Sequence, residues 1–165
     1  MLTEKKIKSG LSLAACLIVC MMVIGCSAKH ADTNEVPVSA IEEQIRNAVP
    51  LEHMVKGDFA KLTKLYDVNE DEVEEFVLYT AESNVEANEL AVIKVKHEDR
   101  LERVKENILK RIEAQKIKLK DYRPEQFFLV EKHVLTIKGL VVLFTVSPDA
   151  EQIEDAFIQA FKTAK

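Results

Sequence analysis

The stretch 133–146, "HVLTIKGLVVLFTV", decides the fold. Its two halves, "HVLTI" and "LVVLFTV", are rich in β-branched and aromatic residues, which suit a pleated and packed surface, and they share the dipeptide Lys138-Gly139 between them. A glycine at that point supplies the backbone freedom that a tight turn demands. The segment therefore predicts two antiparallel strands joined as a hairpin. The second strand is apolar on both faces, which places it centrally in a sheet or under helices on at least one side.

Upstream, "EEFVLYTA" (74–81) and "NELAVIKVK" (88–96) predict a second strand pair, with "ESNVEAN" as the connection. In the latter strand Ala91, Ile93 and Val95 fall on one face, and Leu90, Val92, Lys94 and Lys96 on the other. That alternation predicts a sheet with one wetter side. From Glu98 the period becomes helical, because Leu101, Val104, Ile108, Ile112 and Leu119 trace one stripe. Glu98, Asp99 and Glu102 near its start and Lys116, Lys118 and Lys120 near its end complement the helix dipole. The basic half reads as a solvated face, the alternative being an anion-binding one.

Shorter helices fill the remainder. Pro124 suits the first turn of a helix in "YRPEQFFLVEKH". Ser147-Pro148 opens a last helix whose inner face is Ile153, Phe157, Ala160, Phe161 and Ala164. Ser39 precedes "AIEEQIRNAV" with Glu42 three residues on, the pattern of a capping box, and Pro50 ends that helix. Asp58 is a cap for "FAKLTKLY", where Phe59, Leu62 and Leu65 share a face. Strands in adjacent pairs predict an α+β fold over residues 39–165: a single domain with a mainly antiparallel sheet of about four strands, and helices gathered over one face.

The N-terminal region has a different composition. Residues 11–25 carry no charge and follow Lys5, Lys6 and Lys8, the order of a secretory signal peptide over residues 1–25. The apolar run stops short of the roughly 20 residues a bilayer-spanning helix needs. It ends in Val23-Ile24-Gly25-Cys26, which resembles the lipobox of bacterial lipoproteins. The resemblance implies that the Cys26 sulfur receives a diacylglyceryl group and that cleavage makes Cys26 the first residue. A thiolate is readily alkylated, and two acyl chains give stable anchoring where one does not. The alternative is a cysteine that merely ends an apolar stretch.

Cys16 and Cys20 lie inside the segment to be removed. With no His or acidic neighbour they read as neither a zinc nor a redox pair. Residues 26–38 are polar and contain Pro37, a tether between the lipidated N-terminus and the domain. Loss of Glu4, Lys5, Lys6 and Lys8 with the leader leaves 27 acidic side chains against 20 basic. An acidic chain argues against nucleic acid or anionic headgroups as the main partner. The expected address is the cell membrane, lipid-anchored on the extracytoplasmic side.

A second resemblance is carried by "SNVEANELAVIKVK", Arg111, Gln115, "DYRPEQ" and "KGLVVLFTVSPDAEQIEDAF". These are similar to the small lipoproteins of Gram-positive bacteria grouped as domain of unknown function 4358, over most of residues 58–161. Leu140, where an aromatic residue is frequent, and Asn88, where Asp is common, depart from that pattern. The resemblance implies a Gram-positive surface and no activity.

Motifs for chemistry are sparse. "DVNEDE" offers Asp67, Asn69 and Asp71 at calcium-loop spacing, but Glu72 and Leu78 stand where that loop needs Gly and Glu. His30, His53, His97 and His133 have no helical pairing, so no metal is expected, and no phosphate loop or nucleophile elbow implies a cofactor or acyl chemistry. One polar set remains, Glu89, Lys94, Arg111 and Tyr122, either a structural network or the rim of a small site. The leading expectation is a non-enzymatic, membrane-tethered module binding an envelope protein or other envelope component. The rival is an extracytoplasmic enzyme or enzyme inhibitor using Glu89 with a basic partner.

Overall fold

The computed structural model describes residues 36–163. The signal segment, Cys26, His30, most of the expected tether and Ala164 lie outside the described residues. Packing is already present where they begin, since Val36 and Val38, expected as tether, are 3% and 2% exposed.

Among the described residues the elements run α1 (Val38–Ala48), β1 (Met54–Lys56), α2 (Phe59–Tyr66), β2 (Val73–Ala81), β3 (Glu89–Val95), a 3₁₀ turn (Glu98–Arg100), α3 (Leu101–Leu119), α4 (Pro124–Glu131), β4 (Val134–Lys138), β5 (Val141–Val146) and α5 (Ala150–Thr163). The fold is α+β, as the paired strands predict. The sheet has the order β1-β2-β3-β5-β4, and every neighbouring pair is antiparallel. It has five strands rather than four. The extra one, β1, is three residues long and pairs with the edge of β2 through Met54 and Ala81, Val55 and Thr80, and Lys56 and Tyr79.

The hairpin forms as its sequence dictates. Lys138 lies opposite Val141, leaving Gly139-Leu140 as a two-residue loop, and Gly139 has φ 58°. Positive φ at the first loop residue is the position that favours glycine in the turns matching the twist of paired strands.

Helices cover both faces of the sheet, not one. Leu78, Ala91, Ile93, Val95, Val142 and Phe144 face a cluster that includes Leu62 and Tyr66 of α2, Val104, Ile108 and Ile112 of α3, and Val130 of α4. Val77, Leu90, Val92, Val141 and Leu143 face Ile41 and Ile45 of α1 and Ile153, Phe157 and Phe161 of α5. Consequently β3 has no wetter side: all seven of its residues are buried. Lys94, which suggested one, is neutralised by Glu74 at 3.0 Å and Glu75 at 3.7 Å. Pairing lowers the cost of removing its charge from water.

Two helix starts show where local and tertiary capping differ. Asp58 accepts from the Lys61 N–H at 2.9 Å and caps α2 as its sequence predicts. The expected Ser39–Glu42 capping box does not form. Pro37 is the N-cap of α1, and the free Val38 N–H donates to Glu75 Oε2 of β2 at 2.9 Å. Glu42 points elsewhere, accepting from Lys56 Nζ at 2.7 Å and from the Tyr79 hydroxyl at 2.5 Å. A carboxylate on the neighbouring strand thus replaces the local cap, and Glu42 closes the β1–β2 edge.

Candidate functional site

Glu89 opens β3 on the face covered by α2, α3 and α4, and its side chain is only 2% exposed. A buried carboxylate is costly unless its acceptor positions are filled. Three elements fill them. Tyr66, the last residue of α2, donates its hydroxyl to Oε1. Arg111 of α3 donates Nε to Oε1 at 3.3 Å and Nη2 to Oε2 at 2.8 Å, a forked pairing that sets both distance and plane. Gln115, one turn further along α3, donates Nε2 to Oε2 at 2.9 Å. The Thr145 hydroxyl of β5 holds the Glu89 backbone carbonyl at 3.0 Å.

The electrostatics follow from this closure. Burial, then the charge of Glu89 and the bond to it, push the Tyr66 hydroxyl well above its ordinary pKa. Burial works against the Arg111 cation, but the hydrogen bond and charge of Glu89 hold its pKa above the usual value. Tyr66 therefore stays a neutral donor and Arg111 a permanent cation. The loop before β3 is held to α4, because Gln126 accepts from the Ala87 N–H at 2.8 Å.

One group is left over. With Gln115 Nε2 committed to Glu89, Gln115 Oε1 is the buried side-chain polar atom without a partner among the described residues. Gln115, Arg111 and Glu89 line a cleft of about 370 Å³ between α2, α3 and the β2–β3 loop. Lys61 and Lys118 also line it, the first donating to Thr80 Oγ1 at 2.6 Å and the second to the Asn84 carbonyl at 2.7 Å.

Of the four residues that the sequence singles out, the structure brings together Glu89 and Arg111. Lys94 is five residues from Glu89 in the same strand, an odd separation that sends the two side chains to opposite faces. It pairs with β2, as above. Tyr122 sits in the turn after α3, is 72% exposed and takes no part in the network. The phenol there is that of Tyr66, which sequence reasoning missed. A tyrosine four residues after Leu62 reads as one more core position, and only its hydroxyl needs a partner. Gln115 was available as the residue one helical turn from Arg111.

Other expectations fall as follows. Asp67 ends α2 in the left-handed conformation with φ 49°, and Glu72 binds Asn69 and Arg103 at 2.9 Å and 2.8 Å. "DVNEDE" is thus a helix end and a closed turn before β2. His133 bonds the Val130 carbonyl at 2.8 Å and packs against Phe144. Among the described residues no group of His, Cys, Asp and Glu is arranged to hold a metal ion, and no helix is long and apolar enough to cross a membrane.

No curated protein and no solved structure matches the chain. A family model does, over residues 47–147, a span that contains all five strands, α2 to α4 and every member of the Glu89 network, while nearly all of α1 and the whole of α5 lie outside it. With most of its length matched in this way, the chain belongs to the family described as a domain of unknown function (DUF4358).

Proposed function

We propose that the chain is a lipid-anchored, extracytoplasmic binding module, held to the membrane through Cys26 and presenting the cleft beside Glu89 to an envelope component. The anchoring half of this reading is supported by the lipobox-like Val23-Ile24-Gly25-Cys26 at the end of an uncharged run. The binding half is carried by the state of Glu89. A general base needs an acceptor position within reach of the substrate proton, and both Glu89 oxygens are already occupied by Tyr66, Arg111 and Gln115. Such a carboxylate makes a rigid floor rather than a proton acceptor.

Mass spectrometry of the N-terminal peptide from membranes tests the anchor, with diacylglyceryl-Cys26 expected. A Cys26→Ala form still cleaved at the same bond and still partitioning with lipid sinks it. Photo-crosslinkers at Glu82 on the cleft rim and at Gln152 on α5 test the cleft in living cells. A discrete product from position 82 and none from 152 is expected. Equal labelling from both positions, or turnover of an envelope substrate abolished by Glu89→Gln in a protein that remains folded, overturns the binding reading.

A further inference from the structure

The charges around the cleft identify a class of ligand. Its ionisable lining residues are three cations, Lys61, Arg111 and Lys118, and three anions, Glu82, Glu86 and Glu89. Arg111 and Glu89 cancel each other in the floor at 2.8 Å. Lys61 and Lys118 bond only to neutral oxygens, and among the described residues neither they nor Glu82 and Glu86 have an ion-pair partner. The cleft therefore offers charge of both signs, with Glu86 also acting on the Arg123 cation outside it, and Gln115 in its wall keeps a buried acceptor, Oε1, without a partner among the described residues.

We infer that the cleft binds a small zwitterion, an amino acid or short peptide with both termini free. Its carboxylate meets Lys61 and Lys118, and its ammonium meets Glu82 and Glu86. Electrostatic complementarity discriminates against other small polar molecules. A dianion such as phosphate also faces the carboxylates of Glu82 and Glu86, and a simple cation also faces Lys61 and Lys118. The volume of about 370 Å³ lies at the small end of ligand pockets, which suits one or two residues rather than a long chain. The zwitterion's opposed charges match the two unpaired sets, whereas a neutral sugar leaves both unanswered.

This inference rests on the reading of the domain as a binding module, and its test is independent of the anchor. Calorimetric titration of the full chain in detergent with alanyl-alanine is compared with N-acetyl-alanyl-alanine, with alanyl-alanine amide and with inorganic phosphate. Binding of the free dipeptide is expected, with each blocked form weaker by about tenfold or more, the size of one lost charged hydrogen bond. Lys118→Met and Glu86→Gln each weaken it by a similar factor without moving the melting temperature, and Lys162→Met on α5 changes nothing. No binding of alanyl-alanine at millimolar concentration, or equal binding of the blocked dipeptides or of phosphate, overturns the assignment. A negative titration leaves the Cys26 and crosslinking tests to decide the anchored-module reading, and failure of anchoring leaves this titration intact.

Discussion

The two faces of the sheet solve the same covering problem by different means. Beneath α1 and α5 an apolar layer built from Ile41, Ile45, Val92, Leu143, Phe157 and Phe161, with the Phe157 and Phe161 rings edge to face at 5.1 Å, stands beside the buried Lys94 and its partners Glu74 and Glu75. Beneath α2, α3 and α4 a comparable apolar cluster shares the face with a buried carboxylate and its three donors. Apolar packing is roughly proportional to area and indifferent to direction. A forked Arg–carboxylate bond is satisfied at one register only. The comparison teaches that the first face supplies cohesion, while the second fixes how α2 and α3 sit against β3 and leaves a cleft at their margin.

The most damaging changes break each face in its own currency. Phe157→Ala opens a cavity in the dry layer, and a loss of about 3–5 kcal/mol is expected from urea unfolding. Glu89→Ala is expected to cost a similar amount, about 3–5 kcal/mol, because Arg111 keeps its charge in a half-buried place without its partner. The two are told apart by rescue. Arg111→Met in the Glu89→Ala background restores the part of the loss due to the unpaired charge, while the Tyr66 hydroxyl and Gln115 Nε2 still lack their acceptor, whereas no second change of charge restores Phe157→Ala. Recovery of stability with a shifted α3, seen as altered amide shifts along Leu101–Leu119, shows that the network specifies register rather than supplying net stability.

Tyr66→Phe is a smaller cut, expected to cost about 1–3 kcal/mol near neutral pH, since it leaves a buried acceptor short of one donor. It has a pH signature as well. The folded state holds the Tyr66 proton more tightly than the unfolded chain, so its contribution is fully present below the ordinary tyrosine pKa of about 10 and is lost as pH rises beyond it. Tyr66→Phe is therefore expected to flatten the alkaline limb of stability against pH. An unchanged limb places the responsible groups elsewhere, Tyr79 and Lys56 being next in line.

Weaker still is the rim of the dry face. Burial opposes ionisation of Glu42, but its bonds to Lys56 and Tyr79 outweigh that and lower its pKa. Its contribution is present above the unfolded carboxylate pKa and disappears as pH falls through the folded one. Lys56 is 56% exposed, so Lys56→Met is expected to cost only about 0.2–1 kcal/mol, measured in low salt.

Much of this arrangement is legible in the chain, and the illegible parts have physical reasons. The 133–146 hairpin is decided by one glycine between two β-rich runs, and Asp58 caps α2 by reaching its own helix. The odd spacing of Glu89 and Lys94 also holds their separation to opposite faces. β1 is not legible, because three residues become a strand only when the edge of β2 offers partners. Nor is the second covering layer, because Lys94 advertises a wet face and Glu74 hides it.

The sequence by itself determined four of the five strands and the long amphipathic helix, since each depends on spacing within a few turns of chain. Tertiary structure decided that Tyr66 and not Tyr122 completes the network, that Glu75 and not Ser39 caps α1, and that Gln115 keeps an acceptor unspent beside a cleft. Those outcomes turn on which hydroxyl or carboxylate arrives within hydrogen-bond distance across elements far apart in sequence, and spacing along one chain carries no record of such distances.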